Sequence, residues 1–90
     1  MDIFMTVKAA VTVRQAAEHY GLQVSRNGMT FCPFHDDRHP SMKLNERYFY
    51  CFSCGATGDV IDLVARSFDL SSYEAAQKLA YDLSLIHISE

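Results

Sequence analysis

Apolar residues recur at Val13, Ala16, Ala17 and Tyr20, the i, i+3, i+4, i+7 spacing of a helix with one buried face. Thr12 and Gln15 stand three apart at its start, so each side chain can satisfy the other's backbone N–H. Gly21 sits where a left-handed residue closes a helix. This predicts one N-terminal helix. The period then changes. Leu22–Ser25 and Met29–Phe31 flank Asn27-Gly28, a strong hairpin turn. Ser41–Leu44 and Tyr48–Phe52 flank Asn45-Glu46-Arg47. Together they predict three or four short antiparallel strands. Alternation puts Tyr48, Tyr50 and Phe52 on one face of the last strand and Phe49 and Cys51 on the other. Phe31, Phe34 and Phe49 are expected in the core, because a small sheet must bury one face. Pro33 and Pro40 bracket a loop that cannot continue a helix. Helical spacing returns after Asp59, an N-cap for a helix to about Ser67. Ser71 and Glu74 form a second capping box, opening a helix that runs through Leu79 to Leu83.

The expected architecture is α+β: a short antiparallel sheet of three to five strands, flanked by an N-terminal helix and two C-terminal helices. Residues 1–83 read as a single domain. Residues 84–90 lose the pattern and read as a tail, an artefact of translated adapter sequence.

Composition narrows the function. Ninety residues, 49% apolar and 21% charged, describe a small globular domain. A TIM barrel needs about 250 residues. The longest candidate apolar stretch, Ala9–Val13, is far below the roughly 20 residues of a bilayer span. Asp2 and a single lysine before residue 10 do not make a signal peptide, so the expected location is cytoplasmic. The net charge is −3, yet it is unevenly spread. Between Leu22 and Gly58, Arg26, Arg38, Lys43 and Arg47 stand against Asp36, Asp37 and Glu46. This is the only segment without an acidic excess.

That segment also holds all three cysteines. Cys32-Pro33-Phe34-His35 and Cys51-Phe52-Ser53-Cys54 are two pairs of metal donors, each separated by two residues. A tight turn aims both members of such a pair at one ion, and two turns together give a tetrahedral Cys₃His set suited to Zn²⁺. An odd number of cysteines in a reducing compartment argues against a disulfide framework. A thioredoxin-type redox pair needs a βαβ setting that this segment lacks. Gly55 is expected to let the backbone pass close to the sulfurs. His39 breaks the two-residue spacing. Four protein ligands leave no open position for a reactive water, so one structural Zn²⁺ is expected, with no catalytic residue. A zinc deaminase would need H-x-E and a later P-C-x-x-C, and neither is present.

Taken in order, the C-P-F-H knuckle, Arg38-His39-Pro40-Ser41, and Tyr50-Cys51-Phe52-Ser53-Cys54-Gly55-Ala56-Thr57-Gly58-Asp59 resemble the CHC2 zinc-binding domain of bacterial and phage DnaG-type DNA primases. The likeness covers about residues 11 to 83. It implies a zinc ribbon with Cys32, His35, Cys51 and Cys54 as ligands, Arg38 as its basic loop residue, and a role in engaging single-stranded template during priming. In primases a Toprim catalytic domain follows. Here the chain ends first, so no polymerising activity is expected of it alone, and it looks like a stand-alone protein of a mobile element or a fragment.

Arg26, Arg38, Lys43 and Arg47, with Tyr48 and Tyr50 interleaved, are the candidate DNA contacts: cations for phosphates, rings for stacked bases. Single-stranded DNA is the expected partner, in replication initiation. In the alternative, the chain is a protein-interaction module whose C-terminal helices dock a replicative helicase, a polymerase or a separate primase subunit. No membrane contact is expected.

Overall fold

The computed structural model describes residues 2–36 and 38–83. Asp37 and the 84–90 tail, with its expected loss of pattern, lie outside them. Four helices and one four-stranded antiparallel sheet follow in the order α1 (Ile3–Ala10), α2 (Val13–His19), β1 (Met29–Thr30), β2 (Met42–Leu44), β3 (Phe49–Cys51), β4 (Thr57–Gly58), α3 (Val60–Phe68) and α4 (Ser72–Asp82). The strands lie side by side in chain order. Among the described residues, no helix is long and apolar enough to cross a membrane.

Local chemistry starts and stops the helices. Thr12, Asp59 and Ser71 each form a complete capping box, with Gln15, Asp62 and Glu74 answering from the third position. Each box satisfies two N–H groups that a helix start leaves without partners. Gly21, at φ +97°, closes α2, and the N–H of Leu22 returns to the Ala17 carbonyl. Asp69 ends α3 in the left-handed region, which a short polar side chain tolerates.

Helix α1 and the stretch before β1 both depart from the sequence pattern. The chain forms α1, which periodicity did not reveal. Its eight residues are rich in β-branched and small side chains, and Val7 is the one that is fully buried. Asp2 caps it by accepting from the Phe4 N–H. Docking therefore holds it more than propensity does. The stretch Leu22–Ser25 is not a strand. Ser25 and Met29 close the turn backbone to backbone, but beyond that the Thr30 hydroxyl bonds the Gln23 carbonyl. A side chain there takes the place of the ladder.

The strand register sorts the two faces of the sheet. Thr30, Met42 and Cys51 lie in one cross-strand row and are all buried. Leu44 and Phe49 make the next buried row. These side chains join Val7, Val13, Ala16, Val60, Leu63, Val64 and Leu79 in one core. The opposite face carries Met29, Lys43, Tyr50 and Thr57 in a single row. Phe49 is buried as expected and Phe34 is half-buried against it. Phe31, expected in the core, is 47% exposed. It stands two residues beyond Met29, so it shares Met29's outer face rather than that of Thr30.

Candidate metal centre

Two turns at one end of the sheet carry the donors. Cys32 follows β1 directly, and Pro33-Phe34-His35 turns back over it. Cys51 is the last residue of β3, and residues 52–54 turn to present Cys54. The Gly55 N–H bonds the Cys51 carbonyl, and the Cys51 N–H bonds the Ala56 carbonyl, so the second turn is locked at both levels. Gly55 has φ +78°, and a Cβ added there would meet nothing within 4 Å. Its role is thus backbone conformation, not the close approach expected from the sequence.

The turns bring one atom each from Cys32, His35, Cys51 and Cys54 within 4.8 Å of one another. Cys32 Sγ and Cys54 Sγ are 3.9 Å apart, and His35 Nε2 is 3.5 Å from Cys51 Sγ. A disulfide requires about 2 Å. A tetrahedral zinc with Zn–S of about 2.3 Å and Zn–N of about 2.0 Å places sulfur pairs about 3.8 Å apart and sulfur–nitrogen pairs about 3.5 Å apart. The donor set and its spacing fit one zinc ion. When bound, zinc would supply a cross-link between the two turns, with no vacant position for catalysis.

The thiols are tuned in opposite directions. Burial pushes Cys32 up to about 12, against an N–H from Phe34 and with help from the neighbouring thiols. At Cys51 burial also raises the value, but Ser41, the Cys54 N–H, His35 and the Ser53 N–H outweigh it and hold the thiol down at about 6. Ser41 Oγ lies 3.5 Å from Cys51 Sγ and is itself buried. Donors that orient a ligand sulfur are part of such a centre. Periodicity and spacing did not pick out Ser41. Its place opposite Phe52, whose N–H bonds the Ser41 carbonyl, is a matter of register. The first turn is braced from β3 and α3: Phe34 packs against Phe49 with ring centroids 5.8 Å apart, and the Arg66 guanidinium lies 4.4 Å over the Phe34 ring.

The candidate DNA contacts divide. Tyr50 is 40% exposed at the centre of the outer face, with Lys43 as its cross-strand neighbour. Phe52 packs edge-on against Tyr50 at 5.2 Å, and Tyr48 extends the same row. Arg26 is exposed in the turn before β1, where Lys43 Nζ donates to the Asn27 carbonyl. Arg47 lies elsewhere. It lines a cleft with Lys8, Val11, Glu46, Asp59 and Val60, on the helix side of the sheet. Arg38 is exposed on the loop between the first metal turn and β2. The four cations therefore do not form one cluster.

The model for the CHC2 zinc finger matches residues 1–89. Among curated proteins, the DNA primase of Helicobacter pylori strain J99 is 34% identical over 87 residues, which is 94% of this chain and 14% of that protein. The DNA primase of Rickettsia prowazekii is 43% identical over 63 residues, 68% of this chain and 11% of that protein. A crystal structure of the Aquifex aeolicus primase, comprising its zinc-binding and RNA polymerase domains, superposes with a TM-score of 0.77 at 30% identity. It covers 90% of this chain and 21% of that one. The chain thus spans about a seventh or less of the curated primases described.

Proposed function

From the premise that the chain belongs to the CHC2 zinc-finger family of DnaG-type primases, we propose that it binds single-stranded DNA in replication initiation, without catalysis of its own. The observation that carries this reading is the outer face of the sheet. Phe31, Tyr48, Tyr50 and Phe52, in or directly beside β1 and β3, are all at least 40% exposed there. Lys43 sits among them. Each exposed ring that stacks on a base is worth about 1–3 kcal/mol, whatever the base. Zinc supports the reading indirectly, by holding the ends of β1 and β3 in register so that the rings form one platform.

Fluorescence anisotropy with a short labelled single strand tests the proposal. The zinc-loaded chain should bind, and Tyr50→Ala should weaken binding at least about fivefold, the lower end of one stacked base. Lys43→Ala should flatten the salt dependence by about 0.7 in log–log slope. Arg47→Ala, on the cleft side, should change little. Equal binding by parent and Tyr50→Ala would count against the platform.

A second reading has its own observation. Tyr73 and Tyr81 on α4 are 55% and 72% exposed, on the helical side away from the platform. They suit docking of a helicase, a polymerase or a separate catalytic subunit. Failure of the isolated chain to bind DNA would favour that role.

A further inference from the structure

The four metal donors differ in how far water reaches them. Cys54 is exposed and His35 half-buried, whereas Cys32 and Cys51 are buried, Cys51 completely. A zinc-ligating cysteine is a thiolate, and three thiolates on one Zn²⁺ leave the centre with an excess of negative charge. Water can hydrogen-bond to the sulfur of Cys54. A thiolate as deep as Cys51 depends on the protein for its donors, because a buried charge without hydrogen bonds is costly. Beside its fellow ligand His35, Cys51 Sγ receives the Ser53 and Cys54 N–H groups and faces the Ser41 hydroxyl at 3.5 Å. The two N–H groups belong to the backbone of the turn and come with its shape. The hydroxyl comes from outside the turn. Ser41 stands ten positions upstream, directly before β2, and is itself buried. Its backbone is fixed there by the Phe52 N–H, which donates to the Ser41 carbonyl at 2.8 Å.

We propose that Ser41 is a positioning residue of the metal centre: its hydroxyl donates to the Cys51 thiolate, draws charge from that sulfur, and so raises the affinity of the site for zinc. The inference rests on the reading that Cys32, His35, Cys51 and Cys54 hold the ion, and it adds a residue that touches no metal. With zinc bound, Cys51 carries no proton, so of the two atoms 3.5 Å apart only the hydroxyl can donate. A hydrogen bond to an ionised acceptor is about twice as strong as one between neutral groups. A partner of this kind, outside the ligand set, is worth about 10- to 100-fold in metal affinity. Because Cys51 is the last residue of β3 and Ser41 precedes β2, the bond also ties the sulfur to the neighbouring strand, where the turn's own N–H groups cannot reach.

The test compares the full chain with its Ser41→Ala variant. Competition with a chromophoric chelator reads the affinity for zinc, and the cobalt(II)-loaded proteins read sulfur-to-metal charge transfer in the near ultraviolet. Ser41→Ala should bind zinc about 10- to 100-fold more weakly. Its charge-transfer band should move to longer wavelength, because a sulfur relieved of a donor gives up its electrons more easily. Ser41→Thr, which keeps the hydroxyl, should hold the parent band. Val7→Ala removes buried volume from α1, which packs on α3 and α4, and serves as the control for stability. It should lower zinc affinity through folding and leave the band in place. An unshifted band in Ser41→Ala would overturn the proposal even with weaker binding, since lost stability alone would account for that; so would an unchanged affinity. If Ser41→Ala takes up no metal, Ser41→Thr decides: parent affinity and band uphold the role of the hydroxyl, and loss of both overturns it. A parent that binds neither zinc nor cobalt would overturn the metal centre itself.

Discussion

Gly58→Ala is a small change with a large expected effect. A Cβ built at Gly58 would lie 2.5 Å from Asp62 Cβ, 2.7 Å from its Oδ2 and 2.9 Å from its Cγ. The nearest atom is attached to helix backbone, so rotation of the Asp62 side chain cannot clear it. Either β4 or the first turn of α3 must move. Movement of Asp62 breaks the capping box, in which its Oδ2 accepts the Asp59 N–H at 2.9 Å and its N–H meets Asp59 Oδ1 at 2.9 Å. Movement of β4 strains the pairing of Gly58 with Phe49, whose ring is fully buried. Overpacking costs about 1–3 kcal/mol and loss of a cap about 1, so the substitution should cost roughly 2–4 kcal/mol. For a domain of this size each kcal/mol moves the melting temperature by about 4–8 °C, giving a drop of roughly 8–30 °C. The assay is thermal unfolding of the zinc-loaded chain followed by circular dichroism. A double-mutant cycle with Asp62→Gly isolates the contact, since that variant removes the obstructing Cβ. In the Asp62→Gly background, Gly58→Ala should cost no more than about 0.5 kcal/mol. A melting temperature within about 2 °C of the parent, or penalties that simply add in the double variant, would refute the reasoning.

Removing zinc with a strong chelator should abolish the sheet signal in far-UV circular dichroism, because structural zinc contributes about 10–16 kcal/mol coupled to folding; an unchanged spectrum and melt would contradict this. Cys51→Ser should lose stoichiometric zinc by elemental analysis and melt with the chelated parent, since the buried sulfur is held by Ser41, His35 and two N–H groups. Acid should destabilise the helical half of the chain. Asp82 is held below its ordinary 3.8 by the Tyr20 hydroxyl and Lys78, and at Asp59 the Asp62 N–H and Lys8 overcome the upward push of burial. Depressed carboxylates contribute stability that is complete above about pH 4 and lost as pH falls through their folded values. The slope of melting temperature against pH below 4 should therefore be shallower in Asp82→Asn, and an identical slope would remove that carboxylate from the account.

Much of the architecture was legible because its signals are local. A cap needs only a few consecutive residues, so the capping boxes at Thr12 and Ser71 and the N-cap Asp59 announced three of the four helix starts among the described residues. Alternation within Tyr48–Phe52 separated Tyr50 from Phe49 and Cys51 because the pleat has a period of two wherever the strand lies. The two donor pairs were visible because a tight turn spans few residues. Helix α1 was not legible, since its only fully buried side chain, Val7, draws its stabilisation from contact with distant helices. The exposure of Phe31 was equally hidden, because hydrophobicity does not say which face of a sheet the helices will cover. Arg47 and Lys43 look alike in sequence. Register alone set one in a helix-side cleft and the other beside Tyr50.

The sequence by itself determined the donors, the caps and the strand alternation, all of which depend on neighbours within a few positions. Only the tertiary structure decided that Cys32 and Cys54 would meet at 3.9 Å and that Ser41 would support Cys51. Those outcomes depend on cross-strand pairing and helix docking between segments far apart in the chain, where many arrangements satisfy local preference and only burial of a common core selects among them.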